Sequence, residues 1–235
     1  MKQIFSVLNN DLKLIFRDKI LLIMFLFPLL IIALCREGVP YLTEFVPHIP
    51  NYYWIIVVGF TSVSASTPAF LFGFIILDER DENIHNILRI LPLPQSFILK
   101  SRILFIVFLG FIFSLIILIF NGLVRYGFWE TIALSVLFSF IPPVLTFAIT
   151  AFARNKIEAA TMYKGSSLVL FLPIIAFFVD ETWKYFFGII PFFWTFEAVY
   201  FTGNPLKFML SFVVSFVFHF VVSFMLYRIY CKKIV

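Results

Sequence analysis

Six runs of apolar residues, each roughly as long as a bilayer is thick, constrain this chain of 235 residues more than any other feature. The hydrocarbon core of a bilayer is about 30 Å thick, and a helix needs about 20 mostly apolar residues to cross it. The runs predict spanning helices at residues 20–35, 54–77, 103–120, 131–152, 159–179 and 206–227. Because backbone groups in lipid must be hydrogen-bonded within the protein, we predict an all-α, polytopic membrane protein with a single transmembrane domain over residues 1–235.

Charged residues are scarce, and they lie between the apolar runs. Only 13% of the residues are charged, 62% are hydrophobic, and the net charge is +5. A positive charge can indicate nucleic-acid binding, but basic residues would then gather on one exposed face beside base-stacking aromatic residues. Because the basic residues lie between the apolar runs, we expect membrane lipid as a partner and no nucleic acid. Cys35 and Cys231 have no metal-ligand spacing, so we expect neither a zinc site nor a redox role.

The basic residues are divided unequally between alternate connections. Cytoplasmic connections of membrane proteins carry an excess of Lys and Arg. One side collects 14 of the 18 basic residues, namely Lys2, Lys13, Arg17, Lys19, Arg80, Arg89, Lys100, Arg102, Arg154, Lys156, Lys164, Arg228, Lys232 and Lys233. The bias predicts a multi-pass protein of a cell (inner) membrane with both termini in the cytoplasm. It also requires an even number of spans.

Two apolar segments are predicted to lie at the membrane without crossing it. Residues 1–19 carry apolar side chains on one side at helical spacing and polar ones on the other, which is typical of an interfacial helix. Residues 182–204 are aromatic and apolar, but Gly188 and Pro191 divide them into pieces too short to span. We predict that this second segment is re-entrant and dips into the outer leaflet.

The segment between the second and third spans, Leu77 to Arg102, reads LDERDENIHNILRILPLPQSFILKSR. After an acidic start, Ile84, Ile87, Leu88 and Leu91 fall at i, i+3, i+4 and i+7, so a short amphipathic helix is predicted at about residues 79–91. Prolines at 92 and 94 end it. The pattern alone leaves two interpretations open, a helix resting on lipid headgroups and a helix seated in a groove of a partner protein.

This segment resembles the loop between the second and third spans of ABC-2 type permeases. That loop combines an acid-rich start, a short helix, a Leu-Pro-Leu-like step and a downstream Lys, which here are Glu79, Arg80, Asp81 and Glu82, then Leu91, Pro92 and Leu93, then Lys100. Asn83 and Ile84 depart from the family, which commonly has Gly and Thr there. The start LKLIFRDKILLIMFLFPLL is similar to the family's elbow helix and first span, and IIPFFWTFEAVYFTGNP resembles its outer re-entrant segment.

The resemblance implies a permease subunit of a bacterial or archaeal ABC exporter for a drug, peptide, lipid or other amphipathic compound. A second permease copy or a paralogue would complete the transport pathway at a dimer interface, and two copies of an ABC ATPase subunit would bind the cytoplasmic loops. ATP and magnesium would be bound by the ATPase, with no cofactor in this chain. The implied ATPase-docking residues are Glu79, Arg80, Asp81, Glu82, Ile84, Ile87, Leu88 and Leu91.

The second span is rich in hydroxyl-bearing and small residues. Its small residues recur every four positions, a spacing that lets helices approach closely, so the simpler interpretation is helix packing. The resemblance favours a second interpretation, in which Ser62, Ser66 and Thr67 line a substrate pathway. Both interpretations stay open from the sequence.

Glu197 and His219 are the ionisable residues most deeply placed in apolar segments. Such residues suggest function by default, but these two are isolated in the sequence, which favours structural roles. A membrane enzyme would gather several catalytic side chains at one depth, and no such cluster, metal motif or phosphate-binding loop is found. The two rival functions are an ATP-independent transporter or channel and an integral membrane enzyme.

Overall fold

The computed structural model describes residues 2–82, 95–179 and 181–234, and within these ranges the regular structure is helical, without β-strands. Six helices in the described residues are long and apolar enough to cross a membrane. They run over Lys19–Phe45, Ile49–Asp81, Phe97–Phe120, Phe128–Phe152, Lys156–Phe178 and Pro205–Lys232. This finding confirms the predicted all-α class and the number of spans.

Helix α1 (Lys2–Arg17) and helix α2 (Lys19–Ala33) meet at an elbow. Asp18 forms the elbow because its carboxylate accepts the backbone N–H groups of Ile20 and Leu21 at 2.8 and 3.2 Å, which caps α2. The first span continues beyond the predicted end at residue 35. A π-helical turn, Leu34–Gly38, carries the charged residues of this region and leads directly into α3 (Val39–Phe45).

Helix α4 (Tyr53–Asp81), entered through a 3-10 turn at Ile49–Tyr52, forms the centre of the bundle. Small residues on α4 allow its neighbours to approach closely, and most of its spanning residues are buried. Helix α5 (Gln95–Phe120) packs along α4. At Gly110 of α5 an added Cβ would lie 2.7 Å from the Pro142 ring, so this crossing requires glycine.

The fourth span is broken, as its two prolines predict. Helix α6 (Phe128–Phe138) ends before Phe140, and helix α7 (Ile141–Phe152) begins with the two prolines in its first turn, where missing N–H groups leave no hydrogen bond unmade. Helix α8 (Lys156–Phe171) and a 3-10 helix (Leu172–Phe178) form the fifth span.

The segment predicted to be re-entrant consists of short helices. They are α9 (Glu181–Lys184), a 3-10 helix (Tyr185–Ile189) and α10 (Pro191–Tyr200), and none is long enough to cross a bilayer. Helix α10 begins at Pro191, and Gly188 lies inside the preceding 3-10 helix. Helix α11 (Pro205–Ile234) is the sixth span. Insertion of the segment into the outer leaflet stays a prediction.

The two ends of the bundle are called the basal face and the distal face. The basal face carries α1, the end of α4, the start of α5 and the end of α11. The distal face carries the start of α4, the 3-10 helix that follows α8, α10 and the start of α11. The second and fourth spans form the interior, whereas the first, fifth and sixth expose most of their apolar residues outward.

Candidate functional site

A buried cluster of three charged side chains joins three helices at the basal face. Arg102 of α5 donates from Nε and Nη2 to the two carboxylate oxygens of Asp11 in α1, at 2.8 and 2.7 Å. It also donates from Nη1 and Nη2 to the two oxygens of Glu79 in α4, both at 2.6 Å. The planar guanidinium suits this arrangement because its N–H groups can form parallel bonds to a carboxylate.

Two members of this cluster of Asp11, Glu79 and Arg102 are buried, and the Glu79 side chain, 12% exposed, is partly buried. Asp11 is 2% exposed and Arg102 is 5% exposed. Burial raises the pKa of Asp11, while the hydrogen bonds and charge of Arg102 act in the opposite direction. Removing one member of such a cluster leaves a buried charge unpaired, which typically costs about 3–5 kcal/mol. The cluster therefore fixes α1, α4 and α5 relative to one another.

The last turn of α4 contacts two further helices. Arg80 donates to the backbone carbonyl oxygens of Thr150, at 3.5 Å, and Ala153, which belong to the C-terminal end of α7. These carbonyls have no partner within their own helix, and the negative end of the helix dipole favours a cation there. Asp78 forms an ion pair with Lys156 at the start of α8. The end of α4 is thus bonded directly to α5, α7 and α8, and it is linked to α1 through Arg102.

The structure divides the predicted docking residues into three groups. Glu79 and Arg80 contact neighbouring helices from the last turn of α4, so the acidic start belongs to the spanning helix itself. Asp81 and Glu82 are exposed. The apolar residues lie outside the described residues, and these are Ile84, Ile87, Leu88 and Leu91.

Sequence reasoning missed Asp11 and Arg102 as partners. Asp11 receives no role from the sequence, and Arg102 contributes there only to the orientation signal. An available signal was that Asp11 is the first acid of the chain and lies in a segment otherwise rich in Lys and Arg.

The predicted substrate-pathway residues on α4 are buried inside the single chain. The Ser66 hydroxyl lies 2.7 Å from the carbonyl oxygen of Val63 and 2.9 Å from the Tyr163 hydroxyl of α8. Thr67 donates to the carbonyl oxygen of Ser64 at 2.8 Å. The Ser62 hydroxyl is buried without a hydrogen-bond partner among the described residues. These hydroxyls lie where α4 meets its neighbours, with α8 directly over Ser66.

The structure gives a partner to each of the two isolated ionisable residues. Glu197 of α10 is 2.7 Å from the Lys184 ammonium, and both are buried. His219 of α11 has its Nδ1 2.9 Å from the carbonyl oxygen of Ser215, whose hydroxyl in turn lies 2.9 Å from that of Thr195 in α10. The ion pair joins α9 to α10, and the contact between Thr195 and Ser215 joins α10 to α11. Among the described residues, no group of His, Cys, Asp and Glu is arranged to hold a metal ion.

Comparison with known proteins gives one consistent result. Residues 11–227 match the family described as "Fluoroquinolones export permease protein Rv2686c-like". Two relatives from Mycobacterium tuberculosis are named fluoroquinolones export permease proteins, MT2760 of strain CDC 1551 / Oshkosh and Rv2686c of strain ATCC 25618 / H37Rv. Each is 24% identical over 198 residues, which covers 81% of this chain and 79% of the relative. The chain, a multi-pass membrane protein, therefore belongs to the Rv2686c-like family of export permease proteins.

Proposed function

We propose that this chain is the membrane-spanning subunit of an ABC-2 type exporter, and that a separate ATPase subunit binds and hydrolyses ATP with magnesium. The observation that carries the proposal is the family match over residues 11–227, which runs through all six predicted spans. The cargo is an amphipathic compound, with fluoroquinolones as the first candidates because the matched relatives are named for their export.

The basal face is the cytoplasmic face in this proposal. It is supported by the charge bias, which assigns 14 of the 18 basic residues to that side. Arg80, Arg102 and Lys156 are among them, and each also forms contacts with neighbouring helices there.

The ATPase docks on residues 79–91. The support is positional, because these residues begin in the last turn of α4, and that turn is bonded directly to α5, α7 and α8 and linked to α1 through Arg102. A displacement of the docked segment is therefore transmitted directly to three helices, and to α1 through Arg102, by charge-assisted hydrogen bonds and an ion pair. The apolar stripe of Ile84, Ile87, Leu88 and Leu91 would fill a groove on the ATPase.

A second permease copy, or a paralogue, covers part of the exposed spans, and two ATPase subunits complete the transporter. The support comes from α8, which exposes the polar side chains of Thr161 and Lys164. Polar side chains in spanning helices rarely face lipid and usually face protein or a water-filled cavity.

The substrate passes along Ser62, Ser66 and Thr67 when the helices that cover them separate. The support is the contact between Ser66 and Tyr163, since a shift of α8 away from α4 would break this hydrogen bond and expose the hydroxyls. Alternating access of this kind is the mechanism that we propose for coupling to the ATPase.

The decisive test is co-purification of an ATPase subunit with the tagged chain from membranes of the native host. Replacing Ile87 and Leu88 by Ala should weaken the complex, because it removes buried apolar area that contributes about 2–4 kcal/mol. This loss corresponds to a fall of roughly one to three powers of ten in affinity. ATP-dependent fluoroquinolone uptake into inverted vesicles should fall with it.

A matched control replaces Leu206 and Met209 by Ala, since both are exposed apolar residues at the distal face. This variant should retain the ATPase. Equal ATPase recovery with the two variants would remove residues 79–91 from docking, and absence of any ATPase from the unmodified complex would overturn the exporter proposal.

A further inference from the structure

The Lys184 ammonium lies in a pocket made of one carboxylate and several aromatic rings. Glu197 Oε2 is 2.7 Å from Nζ. The centroids of the Phe177, Tyr200 and Phe201 rings are 4.7, 4.9 and 5.4 Å from the same atom. Lys184 is 9% exposed and Glu197 is 1% exposed, so the cation and the anion are both withdrawn from solvent. We call Glu197, Phe177, Tyr200 and Phe201 the distal cage.

The walls of the cage are held by residues that do not depend on Lys184. Trp54, at the start of α4, packs against Phe177 at 4.9 Å and against Tyr200 at 5.1 Å between ring centroids. Phe177 and Tyr200 also contact each other at 5.4 Å. Their positions are therefore set by α4, α10 and the 3-10 helix after α8, all of which belong to the main bundle.

Lys184 itself comes from a more exposed element. It ends α9, a helix of four residues, and its neighbours Trp183, Tyr185 and Phe186 are 65, 55 and 70% exposed. The lysine thus enters a cage built by the bundle from a short surface segment, through a flexible side chain of four methylene groups. Tyr200 at the rim of the cage is half-exposed, which leaves a direct approach from the surface.

A carboxylate combined with aromatic faces is the chemistry that recognises alkylammonium and quaternary ammonium groups. The rings offer no hydrogen-bond acceptor to the ammonium, so they suit a cation with few or no N–H groups as well as a lysine. The apolar surroundings also suit the hydrocarbon part of an amphipathic amine.

We infer that the distal cage is a binding site for the ammonium group of an amphipathic amine, which exchanges with the Lys184 side chain. Lys184 occupies the cage in the absence of this ligand and competes with it as a tethered cation of high effective concentration. The inference rests on the proposed export function for the direction of passage, in which the cage is the last site before release. Binding itself requires neither transport nor an ATPase.

The test uses the full chain in lipid nanodiscs without an ATPase, with choline as the cationic probe and 3,3-dimethyl-1-butanol as its neutral isostere. In the wild-type chain, saturating choline should displace Lys184, and acylation of its amine by a water-soluble reagent, followed by mass spectrometry, should accelerate at least tenfold. The neutral isostere should leave the rate unchanged. Lys207 provides an internal standard, because it is exposed and its rate should not respond.

Variants separate the cage from its occupant. Lys184→Ala should bind choline at least tenfold more tightly than the wild type, measured as saturable quenching of tryptophan fluorescence. Lys184→Ala combined with Glu197→Gln should lose this binding. If Lys184→Ala does not fold, the labelling of the wild-type chain decides alone.

Three outcomes would overturn the inference: no saturable choline binding in either chain, an equal effect of the neutral isostere, or choline binding to Lys184→Ala with unchanged labelling of wild-type Lys184. The last would show a purely structural ion pair that never leaves the cage. None of these outcomes bears on ATPase docking, and a failure of docking would leave a positive choline result standing.

Discussion

The basal and distal ends of the bundle each bury a cation, but in different ways. At the basal end, Arg102 uses four of its five N–H groups in hydrogen bonds to two carboxylates. At the distal end, Lys184 faces one carboxylate and is otherwise surrounded by aromatic rings. The oxygen acceptors hold the planar guanidinium of Arg102 in one orientation. The ring faces around the Lys184 ammonium do not fix its orientation in this way. The comparison indicates a rigid basal joint and an exchangeable distal one.

The largest expected effect concerns the sides of the membrane on which the two ends lie. After both native cysteines are replaced, Lys207→Cys at the distal face should be labelled in intact cells by an impermeant thiol reagent. Lys100→Cys at the basal face should be labelled only after permeabilisation, because we propose that the face with the basic excess is cytoplasmic. Both positions are exposed. Labelling of residue 100 alone in intact cells would reverse the orientation.

The next effect is on the basal joint. Arg102→Met leaves the buried Asp11 and the partly buried Glu79 without a cation, and we expect a loss of about 3–5 kcal/mol in the free energy of unfolding. This loss should appear as a decrease in the apparent melting temperature of the purified chain. Lys100→Met is the matched control, since it removes an exposed basic residue of the same helix. Equal melting temperatures for the two variants would show that the cluster does not hold the joint.

The smallest effect is expected at the distal joint. Lys184→Met should cost about 1–3 kcal/mol, less than Arg102→Met, because Met keeps the apolar stem and its sulfur packs well on aromatic rings. Adding Glu197→Gln should recover part of the loss by removing the unpaired charge. Lys207→Met is the control, since Lys207 lies over the same Phe201 ring at 4.8 Å but is exposed. A larger loss for Lys184→Met than for Arg102→Met would reverse the comparison.

The overall architecture could be predicted from the sequence because spanning helices are specified locally. Each run of apolar residues satisfies its own backbone and meets the thickness of a bilayer without reference to the rest of the chain. The break in the fourth span was predictable for the same reason, since two adjacent prolines remove backbone donors wherever they occur. The first span shows where local reasoning ends. The apolar run ends at Cys35, but the helix continues through a π-helical turn to Phe45.

The buried charged contacts could not be predicted, because they join residues far apart in the chain. Asp11 and Arg102 are 91 positions apart. In the sequence, Arg102 and Lys184 contribute only to the number of basic residues that predicts the orientation. Nothing local distinguishes them from basic residues that remain in solvent. Their partners follow from the helix packing, which brings α1 against α5 and α9 against α10. The docking hypothesis for residues 84, 87, 88 and 91 stays a prediction, since these residues lie outside the described ranges.

The capped elbow at Asp18 gives the basal cluster a mechanical consequence. Helix α1 is attached to α5 at Asp11 and turns into the first span at Asp18, so the two points are about 10 Å apart at 1.5 Å per residue. This stretch is a short lever arm whose pivot is the elbow. A sliding of about 1 Å between α4 and α5 would rotate the arm by several degrees, and the Lys19–Phe45 helix would carry that rotation as a sideways sweep of several ångströms at its far end.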